Sequence, residues 1–227
     1  MLTIIKNKNV RCVLLARGLS TIGDWFYKIA FPLIVYQQTG SATKVGLTVL
    51  ISSAPYLIFA PVGGLIADLW DRKKVLMITD FIRFLIFAGL ALCPSIYLIE
   101  AIMFSSFVAS ICDRLFSPAF QAALPSIVEK KELPSFNSIL SMLGTGLSLT
   151  IPAVAAIVVG YGGGVKLALW INSASFLLSM FWVYRIDGVR LRVNNSEIKL
   201  SVAESIRGVK IGLKTIVEKK FVKQILL

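Results

Sequence analysis

The chain has 227 residues, 56% hydrophobic and only 16% charged, where a soluble domain carries roughly 45–50% and 25%; at about 20 residues per bilayer crossing, this is enough apolar sequence for six spans. Histidine is absent, which excludes imidazole metal ligation and Ser-His or Cys-His nucleophilic catalysis, and with them most enzyme classes. The net charge of +12 would suit a nucleic-acid binder, but a mean hydropathy of +0.79 argues against one and for membrane topology.

Six apolar segments follow one another along the chain. The predicted spans cover about 10–35, 45–67, 75–92, 96–116, 139–159 and 165–184. Span one is broken by Arg17, Asp24 and Lys28. Short turns follow spans one, three and five, at Gln37 to Ser41, at Pro94-Ser95 and at Tyr161 to Gly164, so sequential spans are expected to be antiparallel neighbours. Beyond Arg185 the composition turns basic. Residues 186–220 read as a cytoplasmic linker in which Val202, Ile206, Val209, Leu213 and Ile216 recur at helical spacing opposite Arg207, Lys210 and Lys214. That pattern fits either an amphipathic helix on the inner leaflet or an ordinary linker helix packed on protein. Residues 221–227 resume an apolar pattern, as at the start of a seventh span.

Cations choose the orientation, because cytoplasmic connectors collect them. With the N-terminus inside, Lys6, Lys8, Arg11, Arg72, Lys73, Lys74, Lys130, Lys131 and ten more from Arg185 to Lys223 fall on the inner side. Only Lys44 and Lys166 fall outside. A multi-pass protein of the cell membrane with both ends of its six-span unit in the cytoplasm is therefore expected, with residues 1–185 as the transmembrane part. Cys12, Cys93 and Cys112 are scattered through apolar sequence, which supports neither a disulfide framework nor a metal site. No cofactor is expected.

The connector between spans two and three reads Gly63-Gly64-Leu65-Ile66-Ala67-Asp68-Leu69-Trp70-Asp71-Arg72-Lys73-Lys74. It resembles the signature loop of the major facilitator superfamily, with Gly64, Asp68, Arg72 and Lys73 in register and departures at Leu69 and Asp71. Gly23 to Lys28 with Phe31-Pro32-Leu33, and Pro118 to Ser126 with Lys131-Glu132-Leu133 and Asn137-Ser138, are similar to its macrolide-efflux and enterobactin-exporter-like branch. The resemblance implies an all-α integral membrane fold, the first six-helix half of a transporter built as two inverted three-helix repeats. It further implies proton-coupled efflux of an amphipathic drug-like compound or a siderophore, with membrane lipid, protons and a second six-helix half as partners. That half would be a missing C-terminal one, another copy or another polypeptide. The signature loop, including Asp71, would act as a conformational latch; plain positive-inside anchoring explains Arg72, Lys73 and Lys74 equally well. A rival reading is a six-span membrane scaffold or truncated fragment that transports nothing.

Ionisable residues at membrane depth cost a few kcal/mol each and so mark a pathway or a pair. Asp24 and Lys28 are four apart and can meet on one helix face; they form either a self-neutralised pair or a cavity site where Asp24 takes up a proton or attracts a cation. Arg17 is expected to face the cavity or snorkel. Asp80 and Arg83 can pair along span three, although bracing between helices is favoured, and Asp113 with Arg114 is expected near the signature loop. Gly144, Gly146 and Pro152 in span five suggest a hinge or a close-packing site. Trp25, Phe26, Tyr27 and Phe31 offer an aromatic wall to a ligand if they point inward, and a lipid- or core-facing surface if they do not.

Overall fold

The computed structural model describes residues 4–53, 55, 70–162 and 164–186. Among them the regular structure is helical. The α-helices are α1 (Lys8–Thr39), α2 (Ala42–Ser53), α3 (Arg72–Leu92), α4 (Leu98–Ile127), α5 (Leu133–Ile157) and α6 (Gly164–Tyr184). The amphipathic linker pattern, the resumed apolar run, Gly64 and Asp68 lie outside the described residues.

Helix ends follow local chemistry. Asn7 caps α1, its side chain accepting from the Asn9 N–H at 2.9 Å, and Gly40 ends that helix in the left-handed region at φ 62°, its N–H returning to the Tyr36 carbonyl. The turn expected from Gln37 is thus shortened to Gly40 and Ser41. Asp71, which departs from the glycine of the signature loop, caps α3 by accepting from the Lys73 and Lys74 N–H groups at 3.0 and 3.3 Å. α4 runs past the predicted end near 116, through Pro118 and Pro125, to Ile127. The cost of a missing donor at each proline is met here by continued packing, since Phe116, Ala119, Phe120, Ala123 and Leu124 remain buried.

α6 packs along α1 and α3, α4 lies against α3, and α5 leans on α1. Two apolar cores result. One holds Val13, Ala16, Leu76, Phe116, Ala123, Phe136 and Val183; the other holds Phe26, Ala30, Ile34, Phe87, Ile102, Leu169 and Phe176. Between them lies a belt of buried polar residues that includes Ser20, Asp80, Arg83, Ser106, Ser110, Asn172 and Ser179.

Three described segments are long and apolar enough to cross a membrane, namely Arg72–Leu92, Lys130–Gly160 and Gly164–Tyr184. α1 and α4, at 32 and 30 residues, have the length, but charges and serines dilute their apolar character. Most of predicted span two lies outside the described residues, and among the described ones length and composition identify three of the six expected spans. Those two helices supply most of the wall of the central cavity, so their polar residues turn inward to one another.

Candidate functional site

A cavity of about 580 Å³ opens between α1, α2, α3 and α4 at the level of the polar belt. α1 contributes Arg17, Thr21, Asp24, Tyr27, Lys28, Phe31 and Pro32; α2 contributes Val49, Ser52 and Ser53; α3 contributes Arg83 and Phe87; α4 contributes Ser106, Ala109, Ser110 and Asp113. These α1 positions recur at three- and four-residue intervals and make one face of the helix. Pro32 lacks an N–H, which leaves the Lys28 carbonyl without its helical donor at the cavity wall.

Asp24 and Lys28 share this wall without closing to ion-pair distance. Lys28 instead places its ammonium 4.7 Å from the centre of the Trp25 ring. The self-neutralised pair that their spacing allowed is therefore not formed. Arg17 also faces the cavity, its guanidinium 5.9 and 5.7 Å from the Phe116 and Phe120 rings. Among the aromatics, Tyr27 and Phe31 reach the cavity, while Phe26 belongs to the apolar core. The Tyr27 hydroxyl is hydrogen-bonded to the Ser106 hydroxyl.

Asp80 and Arg83 do not pair with each other along α3. Asp80 accepts a hydrogen bond from the Ser179 hydroxyl of α6 at 2.6 Å, and Arg83 reaches Asp113 of α4 at 3.5 Å. The reason is the crossing of three helices, which offers each side chain a better partner than its neighbour one turn away. Arg83 is almost fully buried, with its guanidinium carbon 5.4 Å from the Phe116 ring centre and 5.2 Å from that of Phe176. Asp113 also accepts from Arg114 at 2.8 Å. Asp80 and Arg83 thus each brace a neighbouring helix, and Arg83 also lines the cavity, within electrostatic reach of Asp24, Asp113 and Asp80.

The cations of the signature loop are tied inside the bundle. Arg72 donates to the Ala122 carbonyl at 2.8 Å, and Lys73 donates to the Tyr184 and Ile186 carbonyls, each at 2.8 Å. These bonds join the start of α3 to the ends of α4 and α6, where helix carbonyls favour a cation. On α5, a Cβ added at Gly144 or Gly146 would meet nothing within 4 Å, so no described helix uses them for close approach. Pro152 is half-buried within that helix.

Close approach occurs instead at Gly23, where an added Cβ would fall 1.9 Å from Ser175 Oγ and 2.7 Å from Asn172 Oδ1 of α6. The role of Gly23 in packing was missed, as were the cavity residues Thr21, Ser52, Ser106 and Ser110. The hydroxyls had a legible signal, since Ser106 and Ser110 are four apart and so share one face of α4, where small polar residues join helices. Ser110 donates to the Ser52 carbonyl at 2.8 Å. All three cysteines are free thiols, and among the described residues no group of potential metal ligands is gathered.

A helical bundle with apolar outer faces, a mid-depth polar belt and a cavity walled by charges is the architecture of a membrane carrier. The chain belongs to the Major Facilitator Superfamily, whose family model matches residues 13–226. It is 28% identical over 219 residues to BacE of Bacillus subtilis (strain 168), named for bacilysin export, covering 94% of this chain and 52% of that protein. It is 22% identical over 204 residues to the MFS-type transporter YfiS of the same organism, covering 88% of this chain and 48% of that protein. Against the enterobactin exporter EntS of Salmonella typhi it is 28% identical over 157 residues, covering 67% of this chain and 37% of that protein. The chain spans about half the length of the curated relatives it matches, or less. No solved structure matches it significantly.

Proposed function

We propose that the chain is the N-terminal half of a proton-coupled exporter for amphipathic compounds of drug-like or siderophore type. In this reading six membrane spans form two inverted three-helix repeats, and a second six-helix half closes the cavity from the other side. The observation that carries the reading is the cavity itself, which sets a carboxylate, Asp24, among apolar and aromatic surfaces and beside the cations Arg17, Lys28 and Arg83. A protonatable acid beside fixed cations can exchange a proton for a substrate, because the charge of either changes the cost of holding the other in a low-dielectric site. Tyr27, Phe31 and Phe87 supply flat apolar area to an amphipathic ligand, while Ser106 and Ser110 supply hydroxyls. The export function in the names of BacE and EntS supports the outward direction.

On this reading the exposed side of α5, where Met142 and Leu149 are 68% and 75% exposed and Gly144 and Gly146 are uncovered, meets lipid or the second half. Arg72 and Lys73 brace the inner ends of the helices as the loop works as a latch. The test is accumulation of a fluorescent amphipathic cation in inverted vesicles, with this chain alone and with a second half. Uptake that requires an inwardly acidic gradient and is lost in Asp24→Asn is the expected result. Absence of gradient-dependent uptake in both preparations refutes transport and leaves the non-transporting scaffold.

A further inference from the structure

Behind the cavity, α1, α3 and α6 meet along a seam of buried polar side chains that the cavity does not use. Ser20, Asp80, Asn172 and Ser179 are each fully buried there. Asp80 receives the Ser179 hydroxyl on Oδ2, whereas its Oδ1 has no hydrogen-bond partner among the described residues. The same holds for the Ser20 hydroxyl, for both ends of the Asn172 amide, and for Nε and Nη1 of Arg83. Among the described residues no cation closes to ion-pair distance on Asp80, because the guanidinium one turn along is drawn toward Asp113. A carboxylate held by one hydroxyl donor in such a place is poorly solvated.

We propose that Asp80 is a second proton-binding carboxylate, reached from the cavity through this seam. The charges around it fit a small mobile cation. From its own helix it feels Arg83, from α1 it feels Asp24 and Arg17, from α4 the Cys112 thiol lies within range, and α6 donates the Ser179 hydroxyl. Arg83 lines the cavity and also acts on Asp80, so it connects the two places. A hydronium ion gives a proton to Oδ1, its O–H bond breaking to leave water as the carboxyl O–H bond forms, and the reverse transfer to water releases it. While it is bound, Arg83 is released from one of its three carboxylates and its hold on Asp24 and Asp113 tightens. A metal cation fits poorly, because the guanidinium nitrogens beside it repel a fixed charge that no second carboxylate on the seam offsets.

This inference takes its physiological sense from the proposed proton coupling, but its test reads Asp80 whether or not a substrate is moved. Infrared difference spectra of the full chain in lipid nanodiscs, recorded between alkaline and mildly acidic buffer, follow the C=O stretch of protonated carboxyl groups. A band that disappears in Asp80→Asn and persists in Asp24→Asn is expected. In Ser179→Ala the same band shifts to higher wavenumber, since a hydrogen bond to that carboxyl is removed; this milder variant decides the matter even if Asp80→Asn fails to fold. A band unmoved by Ser179→Ala, a band that survives Asp80→Asn, or a response to sodium in place of acid overturns the proposal.

Discussion

Arg83 illustrates how one side chain acquires several duties in a low-dielectric interior. Its guanidinium lies between the rings of Phe116 and Phe176 and reaches Asp113, contacts that depend on a flat, delocalised cation. Arg83→Lys keeps the charge and loses the stacking; a stability loss of about 1–2 kcal/mol is expected from cation–π contacts of desolvated type, measured as a lower melting temperature in detergent. Gly23 has a steric role. A Cβ there collides with Ser175 and Asn172, so Gly23→Val forces α1 from α6 and costs about 1–3 kcal/mol as an overpacking change. Gly144→Ala and Gly146→Ala meet open space and should leave the melting temperature of the isolated chain unchanged, or raise it slightly through helix propensity. Asp24 was legible at this scale, because an acid at mid-span has few cheap explanations. Its relation to Lys28 was not, since i,i+4 spacing permits a contact without requiring it, and the Trp25 ring offers the ammonium a nearer surface.

Helices α3 and α6 carry the bracing of the bundle. α3 begins at the Asp71 cap, ties Arg72 to α4 and Lys73 to the end of α6, and meets α6 again through Asp80 with Ser179 and through Ser173, which donates to the Phe84 carbonyl at 3.0 Å. Asp71→Ala removes the cap and is expected to cost about 0.5–2 kcal/mol, while Asp71→Asn, which still accepts from the same N–H groups, should recover most of it in the same melting experiment. The departure of this position from the signature loop therefore has a local reason. The predicted span four stops near Phe116 because the apolar run thins there, whereas packing on both sides of Pro118 and Pro125 carries α4 on to Ile127. Arg17, Asp24 and Lys28 of α1 and Ser106, Ser110 and Asp113 of α4 lie on the faces that wall the cavity.

For the molecule as a whole, orientation is the prediction that most constrains function. The cation bias puts Lys130 and Lys131 indoors and the turn at Cys93 outdoors. Cys93 is half-buried, whereas Cys12 and Cys112 are buried, so a membrane-impermeant maleimide added to intact cells should label wild-type protein at Cys93. Lys131→Cys in a Cys93→Ser background should react only after the cells are opened; labelling from outside reverses the topology and with it the direction of transport. The sequence by itself pointed to a helical membrane protein through composition, to this superfamily through the resemblance of its 63–74 connector, and to the acids within apolar segments through solvation cost. None of these needs a neighbour. Only the tertiary structure decided which charges meet, because partner choice depends on helix rotation, and a span apolar on most sides has no periodicity that fixes its rotation. Crossing four helices at one depth gave Asp113 to Arg83, Ser179 to Asp80 and the cavity to Asp24.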